Sequence, residues 1–101
     1  IRLDSPTFGR WAGFELSDQN HYQLWLPPGF AHGFCAISRE VDLVYKCSQY
    51  YDPADDKGIV WNDPTINVSW PVSGPILSER DENLPSLDQA KSLGILPKLI
   101  K

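Results

Sequence analysis

Between residues 8 and 70, apolar and polar side chains alternate in short runs separated by Gly, Pro, Asn and Asp. A period of two over a few residues predicts a strand with one buried face. The first run alternates imperfectly, with Phe8, Ala12, Phe14 and Leu16 on one side. Ser17-Asp18-Gln19-Asn20 is turn chemistry, and Tyr22 to Leu26 is the next expected strand. Pro27-Pro28-Gly29 forms a tight turn into another, in which Phe30, His32 and Phe34 point one way and Ala31, Gly33 and Cys35 the other. After a turn at Ser38-Arg39-Glu40, Val41, Leu43, Tyr45 and Cys47 share a face. Asp42, Lys46 and Ser48 sit opposite, and Val44 breaks the pattern. An acidic loop from Asp52 to Gly58 leads to a short strand at Ile59-Val60-Trp61. A turn at Asn62-Asp63-Pro64-Thr65 leads to a last strand from Ile66 to Trp70.

From Pro71 onward the character changes. Pro71, Pro75 and Pro85 punctuate a tail that is excluded from a central strand. Within it, Ser86-Leu87-Asp88-Gln89-Ala90 combines an N-cap serine, an early aspartate and helix formers, which predicts one helix of about 7–8 residues. Residues 1–101 read as a single domain, with strands over about 1–70 and a Pro-rich tail with one short helix over 71–101. Short strands every 8–12 residues or so point to an antiparallel sandwich or jelly roll. The expected five or six strands fall short of the roughly eight of a closed jelly roll. The expectation is that a segment before Ile1, or a partner chain, completes the barrel. The abrupt opening on Ile1-Arg2-Leu3-Asp4, with no Met, agrees with a segment inside a longer chain.

Two side chains on the predicted inner faces carry chemistry. His32 lies between two phenylalanines, where an ionisable ring is costly to bury without a partner or a task. Tyr45 points into the same apolar layer if the two strands share a sheet or face one another. A phenol with an ordinary pKa near 10 is there either a packing residue with a tethered hydroxyl or a proton donor. His21 falls in the Asp18-Gln19-Asn20 turn and reads as a solvated loop histidine.

The remaining composition mostly excludes. No run approaches the roughly 20 apolar residues of a membrane span, and neither a charged n-region nor an apolar h-region opens the segment, so no signal peptide is expected within it. Cys35 and Cys47 lack metal or redox spacing and read as reduced, semi-buried thiols of a cytoplasmic protein. The net charge is −4. Lysines and arginines are scattered, so no nucleic-acid footprint is visible. With only two histidines and no ligand cluster, a metal-dependent site is disfavoured.

Seven motifs then run in order: Asp4-Ser5-Pro6-Thr7-Phe8-Gly9, Gln23-Leu24-Trp25-Leu26-Pro27, Gly29-Phe30-Ala31-His32-Gly33-Phe34, Tyr45-Lys46-Cys47, Tyr50-Tyr51, Trp61-Asn62-Asp63-Pro64 and Leu77-Ser78-Glu79-Arg80-Asp81. Together they resemble the C-terminal part of the dTDP-4-dehydrorhamnose 3,5-epimerase family, from the first residues to about Ala90. The resemblance implies an all-β, cupin-type double-stranded β-helix (jelly roll), here with an incomplete set of strands and a short C-terminal helix. It implies an isomerase of dTDP-rhamnose biosynthesis that needs no metal or cofactor, acts as a homodimer and binds neither nucleic acid nor membrane. The substrate would be a dTDP-4-keto-6-deoxy sugar, inverted at C3 and C5 through an enolate. By the same resemblance Tyr45 matches the proton donor, and Asp81 the acid that orients a catalytic histidine. His32, Tyr51, Asp56 and Arg80 match substrate-binding positions, with Tyr51 stacking on the thymine. Arg80 stands where the family usually has lysine and Asp56 where it usually has glutamate, and the spacing from Trp70 to Asp81 is one residue shorter. The family's catalytic base, its enolate-stabilising lysine and most diphosphate-binding residues have no counterpart in this chain.

Two further readings stay open at this point. One is a related sugar-nucleotide epimerase or ketoisomerase on the same barrel. The other is a truncated, non-catalytic cupin module, which the missing base favours. Either way, the 101-residue segment by itself is expected to be inactive.

Overall fold

The computed structural model describes residues 1–97. The last four residues of the predicted tail, 98–101, lie outside the described residues. Three short helical segments follow one another: a 3-10 turn at Pro53–Asp55, α1 at Glu79–Glu82 and α2 at Leu87–Leu93.

Helix α2 forms where its caps dictate. The Ser86 hydroxyl accepts from the Gln89 backbone N–H at 3.2 Å, and the Gln89 side-chain oxygen accepts from the Ser86 N–H at 2.9 Å. This reciprocal box satisfies two donors that a helix start otherwise leaves unpaired. Gly94 ends the helix in the left-handed conformation at φ 70°, which a residue without Cβ adopts without strain. Between these caps, Leu87 and Ala90 fall one turn apart on one face and are buried with Leu96. Ile1, Leu3, Phe8, Ile59, Ile66 and Ile95 pack around them. This is the core.

The same core contains a carboxylate. Asp63 is 2% exposed, the one buried polar residue among the described residues. Its Oδ1 accepts from the Leu87 N–H at 2.7 Å, and its Oδ2 from the Thr65 and Ile66 N–H groups at 3.1 and 2.9 Å. Three donors offset the desolvation that an unpaired buried carboxylate would suffer. The Val60 N–H donates to the Pro85 carbonyl at 2.8 Å, so segment 60–63 is fastened to the start of α2 at two points. The chain's first residues join the same core, since the Leu3 N–H donates to the Pro97 carbonyl at 3.0 Å.

The predicted strands are not formed. Among the described residues no segment pairs into a β-ladder, and the stretch over which strands were expected consists of turns joined by unpaired segments. The turns themselves stand where they were expected. Asn20 accepts from the Ser17 and Tyr22 N–H groups, and the Phe30 N–H closes the Pro27 turn with Gly29 at φ 93°. The physical reason is that a strand, unlike a helix, leaves its N–H and C=O groups pointing sideways and exists only when a neighbour meets them. From Phe8 to Tyr51 the backbone–backbone hydrogen bonds among the described residues are local turn contacts. The short strand expected at 59–61 bends instead into the Asp63 turn, where the Asp63 N–H bonds the Val60 carbonyl. Cys47 is exposed rather than semi-buried, since its neighbours have no opposing layer; both thiols are free.

Surface area measures the consequence. The chain exposes 9075 Å², against about 5,800 Å² for a folded monomer of this mass. Its radius of gyration is 14.5 Å, where about 13 Å is usual. The excess is about 3,300 Å², and residues on predicted inner faces share in it: Phe14 is 68%, Phe34 65% and Tyr45 75% exposed.

Candidate functional site

The acidic loop and α1 bring four candidate residues together. Asp52 opens the loop by accepting from the Ala54 N–H at 3.0 Å, and Pro53 begins the 3-10 turn with a preset φ. The loop therefore reverses after Tyr51 and returns Asp56 to it. The Tyr51 hydroxyl donates to Asp56 Oδ2 at 3.4 Å. On the other side, the Ser78 hydroxyl caps α1 by accepting from the Asp81 N–H at 3.1 Å, which sets the turn carrying Arg80 and Asp81. Arg80 then bridges the two elements: Nη2 donates to Asp56 Oδ1 at 2.8 Å and Nη1 to Asp81 Oδ1 at 3.0 Å.

Tyr51, Asp56, Arg80 and Asp81 thus form one hydrogen-bonded run, although Asp56 and Arg80 are 24 positions apart. Two carboxylates around one guanidinium leave one net negative charge. The ion-pair side chains are about half exposed, so solvent screens them and they add little to stability. Their value is geometric. A guanidinium has five N–H donors in a fixed plane, and two directed contacts orient the rest towards an acceptor. The Tyr51 ring is 76% exposed and so is open to stacking.

His32 and Tyr45 stand apart from this group. Both are exposed, and neither is tied to it by a hydrogen bond. Two open hollows, one at the 14–22 turn and the other beside α2, contain none of the six candidate residues. The pocket that His32 and Tyr45 were expected to share needs a sheet, and the sheet is not paired. His21 is exposed in its turn, as a loop histidine should be.

Sequence reasoning passed over two supports of this arrangement. Helix α1 was available from Ser78-x-x-Asp81, a capping pattern. Asp63 reads from sequence only as part of a turn, because a buried role for an aspartate in an Asn-Asp-Pro sequence carries no local signal. Among the described residues, no group of three or more His, Cys, Asp or Glu side chains is arranged to hold a metal ion. No helix among them is long and apolar enough to cross a membrane.

Comparison with known proteins closes the gap that geometry leaves. The family model for dTDP-4-dehydrorhamnose 3,5-epimerase matches residues 1–89. The Shigella flexneri protein of that name is 52% identical over 83 residues, which cover 82% of this chain and 46% of the relative. The Escherichia coli (strain K12) protein is 47% identical over 97 residues, covering 95% and 52%. A dTDP-4-dehydrorhamnose 3-epimerase from Streptomyces niveus is 42% identical over 97 residues, covering 96% and 47%. The chain spans about half the length of these curated relatives. No solved structure matches it. The match takes in all six candidate site residues within residues 1–89, and the chain belongs to the dTDP-4-dehydrorhamnose 3,5-epimerase family.

Proposed function

We propose that this chain is the C-terminal portion of an enzyme that epimerises a dTDP-4-keto-6-deoxy sugar at C3 and C5. The observation that carries the proposal is the Tyr51–Asp56–Arg80–Asp81 run, assembled within the residues that the family matches. In this reading Tyr51 stacks on the nucleotide base, and Arg80 and Asp56 hold polar groups of the substrate. The C4 ketone acidifies the neighbouring C–H bonds. A base on one face of the sugar removes a proton to give the enolate, and the Tyr45 phenol delivers one to the opposite face, recovering its own from solvent. His32 binds substrate, and Asp81 orients the histidine base. That base and the enolate-stabilising lysine come from protein outside these 101 residues. Asp81 is a poor substitute, since a carboxylate is a weak base towards a carbon acid.

The excess surface supports the same reading. An area of about 3,300 Å² exceeds that of a standard protein interface, about 1,600 Å². The remainder of a cupin-type barrel and a second subunit of a homodimer together have the size to cover it. Free Cys35 and Cys47 fit a reducing, cytoplasmic setting. The test is solvent-deuterium incorporation at C3 and C5 by the complete protein and by the 101-residue segment. Exchange at the same rate in both would overturn the division of acid and base.

The Streptomyces niveus relative favours a second reading, because its name specifies inversion at one carbon. Deuterium at C3 alone would select it.

A further inference from the structure

Arg80 and Asp81 are consecutive residues of α1, and consecutive side chains leave a helix about 100° apart without facing each other. Their bond, from Nη1 to Oδ1 at 3.0 Å, therefore needs a cause outside the helix. Asp56 supplies one. It stands 24 positions away, where the 3-10 turn sets it, its own N–H donating to the Pro53 carbonyl at 3.4 Å. From there its Oδ1 takes the other terminal nitrogen of the guanidinium, Nη2, at 2.8 Å. With Nη2 held on Asp56, the rigid guanidinium plane presents Nη1 to Asp81. The Ser78 hydroxyl fixes only the Asp81 backbone N–H, so the carboxylate is left to Arg80. Asp81 Oδ1 is thereby engaged, while its Oδ2 accepts no hydrogen bond among the described residues.

We propose that Arg80, anchored on Asp56, is a positioning residue for Asp81: it holds the carboxylate by Oδ1 and leaves Oδ2 to accept the N–H of the histidine that Asp81 orients. Asp56 then acts on turnover through two intervening side chains, Arg80 and Asp81, in addition to meeting substrate. The loop that carries Tyr51 and the residue that orients the base are joined by one guanidinium. The proposal rests on the reading of Asp81 given above.

The experiment measures kcat, KM and dTDP affinity of the complete protein in four forms: wild type, Asp56→Ala, Asp81→Ala and the double variant. Asp56→Ala should lower kcat about fivefold, a coupling of the size that members of one hydrogen-bond network show. In the Asp81→Ala background the same change should leave kcat within about twofold, because the group it acts through is gone. A carboxylate that only bound substrate would instead raise KM and weaken dTDP binding, with kcat unchanged in both backgrounds. That result overturns the proposal, and so does an equal loss of kcat in both backgrounds. Asp56→Asn keeps an oxygen for Nη2 and should turn over faster than Asp56→Ala, and the reverse order overturns the proposal. If Asp56→Ala fails to fold, Arg80→Ala takes its place, with the same expected loss of kcat and the same silence beside Asp81→Ala. Should Asp81→Ala leave kcat unchanged, the reading of Asp81 fails and this proposal fails with it. A slow Asp81→Ala beside an Asp56→Ala of unchanged kcat overturns this proposal alone.

Discussion

The α2 region and the run from Trp11 to Tyr51 are both rich in large apolar side chains, yet only the first builds a core. Leu87 is 1% exposed, whereas Trp25 and Val44 stand 80% and 87% in solvent. The difference lies in how each element satisfies its backbone. A capped helix closes its own hydrogen bonds and needs only one apolar face covered, which Ile59, Ile66 and the N-terminal residues provide. An alternating segment must first find a neighbour for its N–H and C=O groups, and none of the runs from 11 to 51 has found one. Candidate chemistry divides along the same line. Residues placed by the loop and α1 are assembled, while His32 and Tyr45, carried by the unpaired runs, are not.

The largest expected effect tests the unassembled side. In the complete protein Tyr45→Phe should lower turnover by about 10²–10⁴-fold, the usual range for loss of a proton-transfer group. Affinity for dTDP, measured in parallel by calorimetry, should stay within about twofold. Retained turnover would show that Tyr45 packs and does not donate.

On the assembled side, Asp63→Ala removes the acceptor of three backbone N–H groups and should cost about 2–4 kcal/mol in urea unfolding of the complete protein. Asn at this position should recover only part of the loss, since its NH₂ group would face a donor. Leu87→Ala should cost about 2–3 kcal/mol by leaving a cavity under α2. Ser86→Ala, which opens the capping box, should cost about 1 kcal/mol. If these three changes left the unfolding midpoint in place, the α2 core would not be what holds this half together.

The smallest effect sharpens the contrast most. Val44→Ser should alter the stability of the 101-residue chain by less than about 0.5 kcal/mol, because the side chain already faces water. In the complete protein the same change should cost about 1–2 kcal/mol if a paired sheet covers that face. Equal costs in both would mean that Val44 is exposed in either setting.

Much of this was legible residue by residue. Ser86 announced α2 and Gln89 closed its cap, while the turns at 17–20 and 27–29 fell where Asn, Pro and Gly placed them. Those features depend on contacts within a few positions. The alternation of Val41, Leu43 and Tyr45 is just as regular, but it specifies only a face, and a face becomes part of a strand through a partner that no local pattern names. The approach of Arg80 to Asp56 was equally invisible, since nothing in either motif says that positions 24 apart will meet.

The sequence by itself therefore determined the family, the turns, the helix caps and the chemical types of the candidate residues, because each is written in short-range order. Only the tertiary structure decided that Asp63 is buried and fastens α2, and that Arg80 joins Asp56 to Asp81. It also decided that the alternating runs remain unpaired. These outcomes depend on which distant groups satisfy one another's hydrogen bonds and fill one another's space, a competition settled across the whole chain at once.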